Sequence, residues 1–483
     1  MNFDIIIVGN GILGLTLANE ITSLDKGVSV ALVGPKDRMN SASKASGAML
    51  AAYGEIEEDS LSYKPYKDRF KIIINALNMW PKHLIKLQEE SGQKIQSSFG
   101  TYIINSSRGT VYEDKLIDYI KKSPKKMKDN NNKVKDIIPS DIPGIKTRPL
   151  DRPTEAVHVN DGLVNSNELL SALDSILTKN KNINIIDKYV KKLDIKKKFV
   201  GLDDNNKIFS NNIVLANGSF TQDLVEDIKE LSSNIPKLLF GVGAGLDMKL
   251  SNLKSNFVQT KDKKDLFKKS VIRTVDRGGA CGVHFIPFDE YHSYLGASSA
   301  VFKQPEIGAR SSSIGFLLND AINQISPLIG RSNIKEVKYG FRPVSEDTFP
   351  LLGETHIKGI WYLNGMKRDG LTASPYICKE IAKNILKNKK NRLLKNFQPS
   401  RNLISYFNKK KAIGRTVLSK FNRENAHGAV FSDLSAISKF MHTTRLDIER
   451  IYKKLKITKF GIHPELIDLY DLGQINKSLI RKK

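Results

Sequence analysis

Apolar and polar positions along the chain fall into blocks whose period changes, and the changes mark out elements. Residues 3–9 (FDIIIVG) are an apolar, β-branched run that reads as a strand, 12–24 read as a helix, and 28–33 read as a second strand. That order and length suit a nucleotide-binding βαβ unit. From 64 to 90 the pattern is helical, with Phe70, Ile73, Ile74, Leu77, Trp80 and Leu84 on one face. Residues 121–135 (KKSPKKMKDNNNKVK) are polar and read as a loop, a surface insertion. A helix is expected over 166–178, then strands at NINII and NIVLANG. The stretch 282–299 reads as strand, turn, strand; 359–365 as a strand; 373–388 as a helix. GVGAG at 241–245 lacks the spacing of a second nucleotide turn and reads as a glycine-rich strand. Past NKKNRLLKNFQPSRN the composition shifts, which places a boundary near 390–400. Residues 432–457 read as two short amphipathic helices joined by HTTR, a spacing that a helix-turn-helix would also show. No internal repeat is visible.

Composition narrows the class. A chain of 483 residues with 40% hydrophobic and 27% charged content is globular, with room for about two to three domains. It contains no apolar run long enough for a membrane span, and no cationic leader precedes the first strand. Two cysteines, Cys281 and Cys378, cannot build a disulfide framework, so a reducing cytoplasm is expected. The net charge of +26 is unevenly spread: residues 387–483 hold 23 Lys and Arg against 7 Asp and Glu, a net of +16. A tail of this kind suits RNA, an anionic surface or an acidic partner; a lysine-rich solvated surface explains it equally well.

Gly9, Gly11 and Gly14 carry the first chemistry. They form G-x-G-x-x-G between strand and helix. The first glycine permits the tight turn, the second lets backbone approach a pyrophosphate, and the third lets helix and strand pack closely. The phosphates would sit at the helix N-terminus, where free N–H groups favour anions. The acid that usually binds the adenosine ribose would fall at Gly34, which has no side chain. Lys36, Asp37 or Arg38, or backbone, must take its place. The eight histidines show no metal spacing, and neither cysteine lies in a C-x-x-C pair, so no metal site is expected.

Four segments resemble one family. SASKASGAMLAAYGE (41–55), IVLANGSFT (213–221), GFRPVSEDTFPLLGE (340–354) and IWYLNGMKRDGLTASP (360–375) are similar in order and spacing to the D-amino acid oxidase superfamily of FAD-dependent oxidoreductases, most like glycine oxidase. The resemblance runs from residue 4 to about 390. It implies an α/β (α+β two-domain) flavoprotein: a Rossmann-like FAD-binding domain from 1–75, 150–225 and 330–390, a β-sheet substrate domain from 76–149 and 226–329, and a basic helical extension over 391–483. It implies FAD as the cofactor. Ile12 and Leu13 would follow the phosphate turn, and Gly34 and Pro35 would take the ribose position. Ala42, Ser43, Gly47, Ala48 and Met49 would line the pyrophosphate and the flavin ring. Val190 would meet the adenine, Ala216 and Gly218 belong to the second flavoprotein turn, and Met366, Lys367, Arg368, Asp369, Gly370, Leu371 and Thr372 would wrap the ring.

Arg342 and Arg368 match the family's substrate arginines. A planar guanidinium pairs bidentately with a carboxylate and stays charged. His284 stands where glycine oxidase carries a tyrosine, a departure that puts glycine itself in doubt as substrate. His284 can equally be a satisfied strand histidine. The expected activity is oxidation of a C–N bond in a small amino acid or amine, with oxygen or a quinone as acceptor. Two alternatives use the tail. One is a flavoprotein acting on a wobble uridine of tRNA, with the basic tail on RNA; the other is a quinone-linked dehydrogenase at the membrane surface.

Overall fold

The computed structural model describes the chain except for residues 58–59, 107–110, 130, 146–151, 251–269, 276–281, 290–291, 427–428, 476, 478 and 481–483. Cys281 lies outside the described residues. Strand β1 (Ile5–Val8) is buried along its whole length, as a four-residue run without a polar side chain requires. It is followed by helix α1 (Ile12–Leu24) and strand β2 (Val30–Val33), which pairs parallel to β1 from Ile5↔Val30 to Val8↔Val33. These are the centre of a six-stranded sheet. Its order is Leu351–Glu354, Ile360–Asn364, Asn212–Leu215, β1, β2, Ile183–Ile186, parallel except for the pairing of its first two strands.

Helix α2 (Lys64–Ser91) buries the six apolar residues expected of it and joins one core with α1 and the helices Ser166–Thr178 and Gly370–Lys387. A small antiparallel sheet (Val190–Asp194, Phe199–Leu202, Lys207–Phe209) closes the other face. A third sheet, of ten strands, is built around the long pairing of Leu238–Leu250 with Ser332–Ser345 and of Ser97–Ser106 with Pro153–Val164. Among the described residues this is the mixed α/β two-domain architecture expected. The expected segment limits cut across elements, however. The limit at 75/76 falls inside α2, and both Pro153–Val164 and Ser332–Ser345 belong to the ten-stranded sheet.

Two local expectations are corrected. Part of the expected loop 121–135 is helix, because Val111–Met127 runs through Pro124. Leu116, Ile117 and Ile120 anchor that helix in the core, while Lys121 pairs with Asp136 and Glu155 on neighbouring strands. Residues 434–454 form one continuous helix, with no turn at HTTR. Thr443 Oγ1 donates to the Lys439 and Phe440 carbonyls, Thr444 is buried, and the apolar face passes to Ile448, Ile451 and Tyr452. No helix-turn-helix is formed there.

The extension is docked. Leu394, Phe397, Tyr406 and Ala412 enter the main core, and Ile413, Val417, Ile448 and Tyr452 pack with Leu239 and Val344. Arg401 grips the fully buried Asp347 through Nε and Nη2 and also donates to the Pro350 carbonyl. Tyr470 Oη lies 3.3 Å from Glu346 Oε1.

Burial pushes the Glu346 carboxyl up to about 7, partly offset by the Lys237 N–H and reinforced by adjacent Asp347. The folded chain therefore holds this proton more tightly than the unfolded chain, whose carboxyl titrates near 4.5. Stability from this group is present below that value and is lost as pH rises through about 7. Glu346→Gln should flatten thermal stability between pH 5 and pH 8, where the wild type gives up on the order of 3 kcal/mol at this position. Parallel melting curves for the two proteins across that range would contradict the assignment.

Candidate active site

The phosphate turn is shaped by glycines, two of which leave no room for a side chain. Gly9 has φ +112°, donates to the Val33 carbonyl, and a Cβ there would stand 2.5 Å from the Ala216 carbonyl. A Cβ on Gly14 would overlap the Gly9 carbonyl oxygen. Gly11 is the N-cap of α1; no side chain caps it and no acid lies in the first turn, so nothing there opposes an anion. Ser43 Oγ accepts from Ile12 N at 3.0 Å and ties the 41–46 segment to the turn.

At Gly34 the reason for glycine is steric as well as chemical. A Cβ would stand 2.6 Å from Asn10 Oδ1, while Asn10 Nδ2 donates to the Gly34 and Pro35 carbonyls. Of the three neighbours expected to stand in for the missing acid, only Arg38 lines the cavity. Its guanidinium is held by the Asn10 carbonyl and by both oxygens of Asp174. Lys36 N donates instead to Asp187.

One cavity of about 640 Å³ runs from this turn to the ten-stranded sheet. It brings together Arg342, Arg368, His284 and every residue assigned to the cofactor except Gly14 and Ala48. Gly14 serves packing. Ala48 adopts φ +65° and its carbonyl accepts from Val164 N. A long groove whose walls are glycine backbone at one end and arginines at the other fits a dinucleotide.

Arg342 projects from the strand Ser332–Ser345, and its Nη2 donates to the Ser298 carbonyl at 2.8 Å. Among the described residues it has no carboxylate partner. The glycine-rich strand explains its placement: a Cβ on Gly243 would collide with the Arg342 guanidinium, and one on Gly245 with Tyr294 Oη. GVGAG is therefore a strand, as expected, and its glycines clear the space at the site.

Arg368 is placed differently. Its Nε lies 3.0 Å from Glu55 Oε2, close enough for an ion pair though not aligned for a hydrogen bond. The other oxygen of Glu55 accepts from Nη1 of the fully buried Arg273 at 2.9 Å. Burial pushes the Glu55 carboxyl up, and Arg368 and Arg273 more than offset this, leaving it well below the usual range and ionised. The turn carrying Glu55 is held by Asp161, whose carboxylate accepts from the backbone N–H groups of Ala52, Tyr53 and Gly54.

Sequence reasoning missed Glu55, Arg273 and Asp161 as site residues. The signal for two of them was a charged residue inside an apolar strand run, SVIRTV and VHVNDGLV. His284 is buried at the cavity wall beside Gly47 and Gly296, and desolvation with Arg273 nearby holds it down at about 3, a neutral ring.

The loop 366–369 is anchored side chain by side chain. Lys367 Nζ pairs with Glu465 at 2.9 Å, Arg368 with Glu55, and Asp369 with Arg69 of α2 at 2.6 Å. Thr372 Oγ1 accepts from Ala51 N, and its carbonyl accepts from Trp80 Nε1.

Residues 4–384 match the model of the family described as FAD dependent oxidoreductase (DAO). The chain belongs to this family. Its members are FAD-dependent oxidoreductases, and the glycine-walled groove is where this chain's residues fit the dinucleotide. Among solved structures, glycine oxidase from Geobacillus kaustophilus superposes with TM-score 0.66 at 18% identity, over 83% of this chain and 100% of that one. Iminodiacetate oxidase from Chelativorans sp. BNC1 gives 0.63 at 17%, over 82% and 98%. At such identities the likeness is one of fold. The bifunctional protein ThiO/ThiG of Trichormus variabilis is 33% identical over 106 residues, which is 20% of this chain and 16% of that protein. The chain thus spans about a sixth of the length of this curated relative. Residues beyond 384 lie outside the family match. Among the described residues no helix is long and apolar enough to cross a membrane.

Proposed function

We propose that this FAD-dependent oxidoreductase oxidises the C–N bond of a small amino acid or related amine that carries a carboxylate. One observation carries the reading: Arg342 presents a guanidinium to the cavity, and among the described residues its partner is a backbone carbonyl. A substrate carboxylate would supply the bidentate acceptor that it lacks. The enzymes named above as glycine oxidase and iminodiacetate oxidase act on substrates of this class and support the reading by analogy.

FAD, when bound, would supply the hydride-accepting chemistry at the carbon beside the amine, with oxygen or a quinone as the final acceptor. Arg342 fixes the carboxylate and so the α-carbon. Glu55, ionised and clamped from both sides, offers a fixed negative charge at the cavity wall toward the amine N–H. His284 is neutral and contributes shape and one polar edge. No ionised base at the carbon is required when the amine enters unprotonated. Water then hydrolyses the imine product.

The test is a panel of glycine, N-substituted glycines and amino dicarboxylates, with ammonia or amine release measured for each. Turnover of amines without a carboxylate, and of none with one, would sink the reading. A second expectation concerns pH. Because His284 is neutral throughout the working range, the kcat/KM profile should have the same limbs in the wild type and in His284→Asn. A limb near 6.5 present only in the wild type would show that the imidazole titrates there.

A further inference from the structure

We propose that Glu465, in the C-terminal extension, is a positioning residue of the FAD site, holding the Lys367 ammonium away from the cavity and fixing the loop 366–369. The loop carries three successive charges, and a different part of the chain clamps each one. Glu55 and Arg69, the partners of Arg368 and Asp369, lie within the family-matched region; Glu465 lies beyond it. Four of the solved neighbours are covered at 97–100% of their length by little more than four-fifths of this chain, so the extension is an addition to the shared fold.

The geometry is that of a built contact. Lys367 Nζ and Glu465 Oε1 are 2.9 Å apart, and the two side chains are only 3% and 9% exposed. Lys367 adopts φ +52°, and its N–H donates to the Pro343 carbonyl, so its backbone is fixed next to the strand end that bears Arg342. Lys367 lines the cavity, yet its ammonium is drawn back to the extension. On the other side, His463 caps the short helical turn Pro464–Leu466 by accepting from Glu465 N, and it packs edge-on to Tyr406. Among the described residues Glu465 Oε2 is buried without a hydrogen-bond partner, so the carboxylate is placed for charge on charge.

A buried pair of this kind contributes little net stability, but breaking one member leaves a buried charge uncompensated. Removing Glu465 therefore frees a positive charge at the cavity wall. A freed cation beside the FAD site favours whichever form of the bound group carries more negative charge, and that is the reduced form.

Three full-length variants test this: Glu465→Gln, the double variant Lys367→Met/Glu465→Leu, and Tyr470→Phe. The last weakens the extension where Tyr470 meets Glu346, leaving the Lys367–Glu465 pair intact. Each is reconstituted with FAD, and its FAD dissociation constant and the midpoint potential of the bound FAD are measured. Glu465→Gln is expected to change FAD affinity by about tenfold and to move the potential positive. The double variant should return the potential close to the wild-type value. Tyr470→Phe should lower the melting temperature and leave the potential unmoved. The proposal is overturned if Glu465→Gln leaves both affinity and potential unchanged, or if Tyr470→Phe moves the potential as much as Glu465→Gln does. It is also overturned if the double variant is displaced as far as the single one. Should Glu465→Gln not fold, Glu465→Asp, which keeps the charge but draws the carboxylate back from Lys367, takes its place: a positive shift of the potential is expected, and an unmoved potential overturns the proposal.

Discussion

Arg342→Ala should lower kcat/KM for a carboxylate-bearing amine by roughly 30- to 5,000-fold, the equivalent of about 2–5 kcal/mol. The size follows from position. The guanidinium sits at the wall of a cavity from which binding would exclude water, and a charge pair made there is only weakly screened. Among the described residues no carboxylate competes for Arg342, so none compensates when it is lost. Arg342→Lys keeps the charge and loses the fork, so its loss should be smaller. An amine substrate lacking the carboxylate should show no difference between wild type and Arg342→Ala. Melting temperature should move little, since among the described residues the side chain's partner is the Ser298 carbonyl. A loss confined to stability, with kcat/KM intact, would remove Arg342 from substrate binding.

The second large effect is expected at Arg273. This side chain is fully buried, and its Nη1 holds Glu55. Arg273→Leu breaks one side of a buried ion pair and should destabilise the fold by ~3–5 kcal/mol. It should also act at a distance on catalysis. Arg273 is one of the two charges that keep Glu55 ionised. Without it the Glu55 carboxyl moves up, and activity should fall at a higher pH on the acid side than in the wild type. The sign is fixed: a depressed carboxyl is held ionised above its folded value, so a rise in that value moves the acid limb toward neutral pH. Arg273→Lys, which keeps a charge, should restore part of the limb's position. A destabilised variant with an unmoved acid limb would mean that Glu55 plays no part in the reaction.

These two residues differ in how far sequence could reach them. Arg342 lies in GFRP, a segment whose resemblance carried it directly, and the phosphate turn was legible because glycine spacing, strand and helix are all local. Arg273 and Glu55 are 218 residues apart and meet only through the ten-stranded sheet. Lys367 and Glu465 are 98 residues apart across a boundary where the family pattern stops. No local period reports such pairings, because a partner is chosen by sheet order and docking.

The helix at 434–454 was misread for a related reason. Two offset apolar faces look like two helices when one helix passes from a loose contact to a packed one. Arg368 shows a further limit. Its identity and place were readable, while its engagement with Glu55 required the fold. At Gly34 the sequence raised a question that the structure answers in part. Asn10 fills the space, and Arg38, already paired with Asp174, is the one of the three expected neighbours that lines the cavity.

The charge of the extension also reads differently once it is placed. Its buried apolar residues, among them Phe397, Ile413, Val417 and Tyr452, and three of its polar ones, Arg401, Tyr470 and Glu465, are committed to the body of the enzyme. The excess of Lys and Arg therefore decorates a docked element, whatever partner it meets.

The most direct measurement is anaerobic. The purified protein is loaded with FAD, oxygen is removed, and a small amino acid with a free carboxylate is added while the absorbance of oxidised flavin is followed. The account predicts loss of the oxidised band in the wild type, at a rate that saturates with substrate, and reduction slowed by the factor given above in Arg342→Ala at equal FAD occupancy. A chain that retains FAD, and whose oxidised band persists with every carboxylate-bearing amine tried, would contradict it.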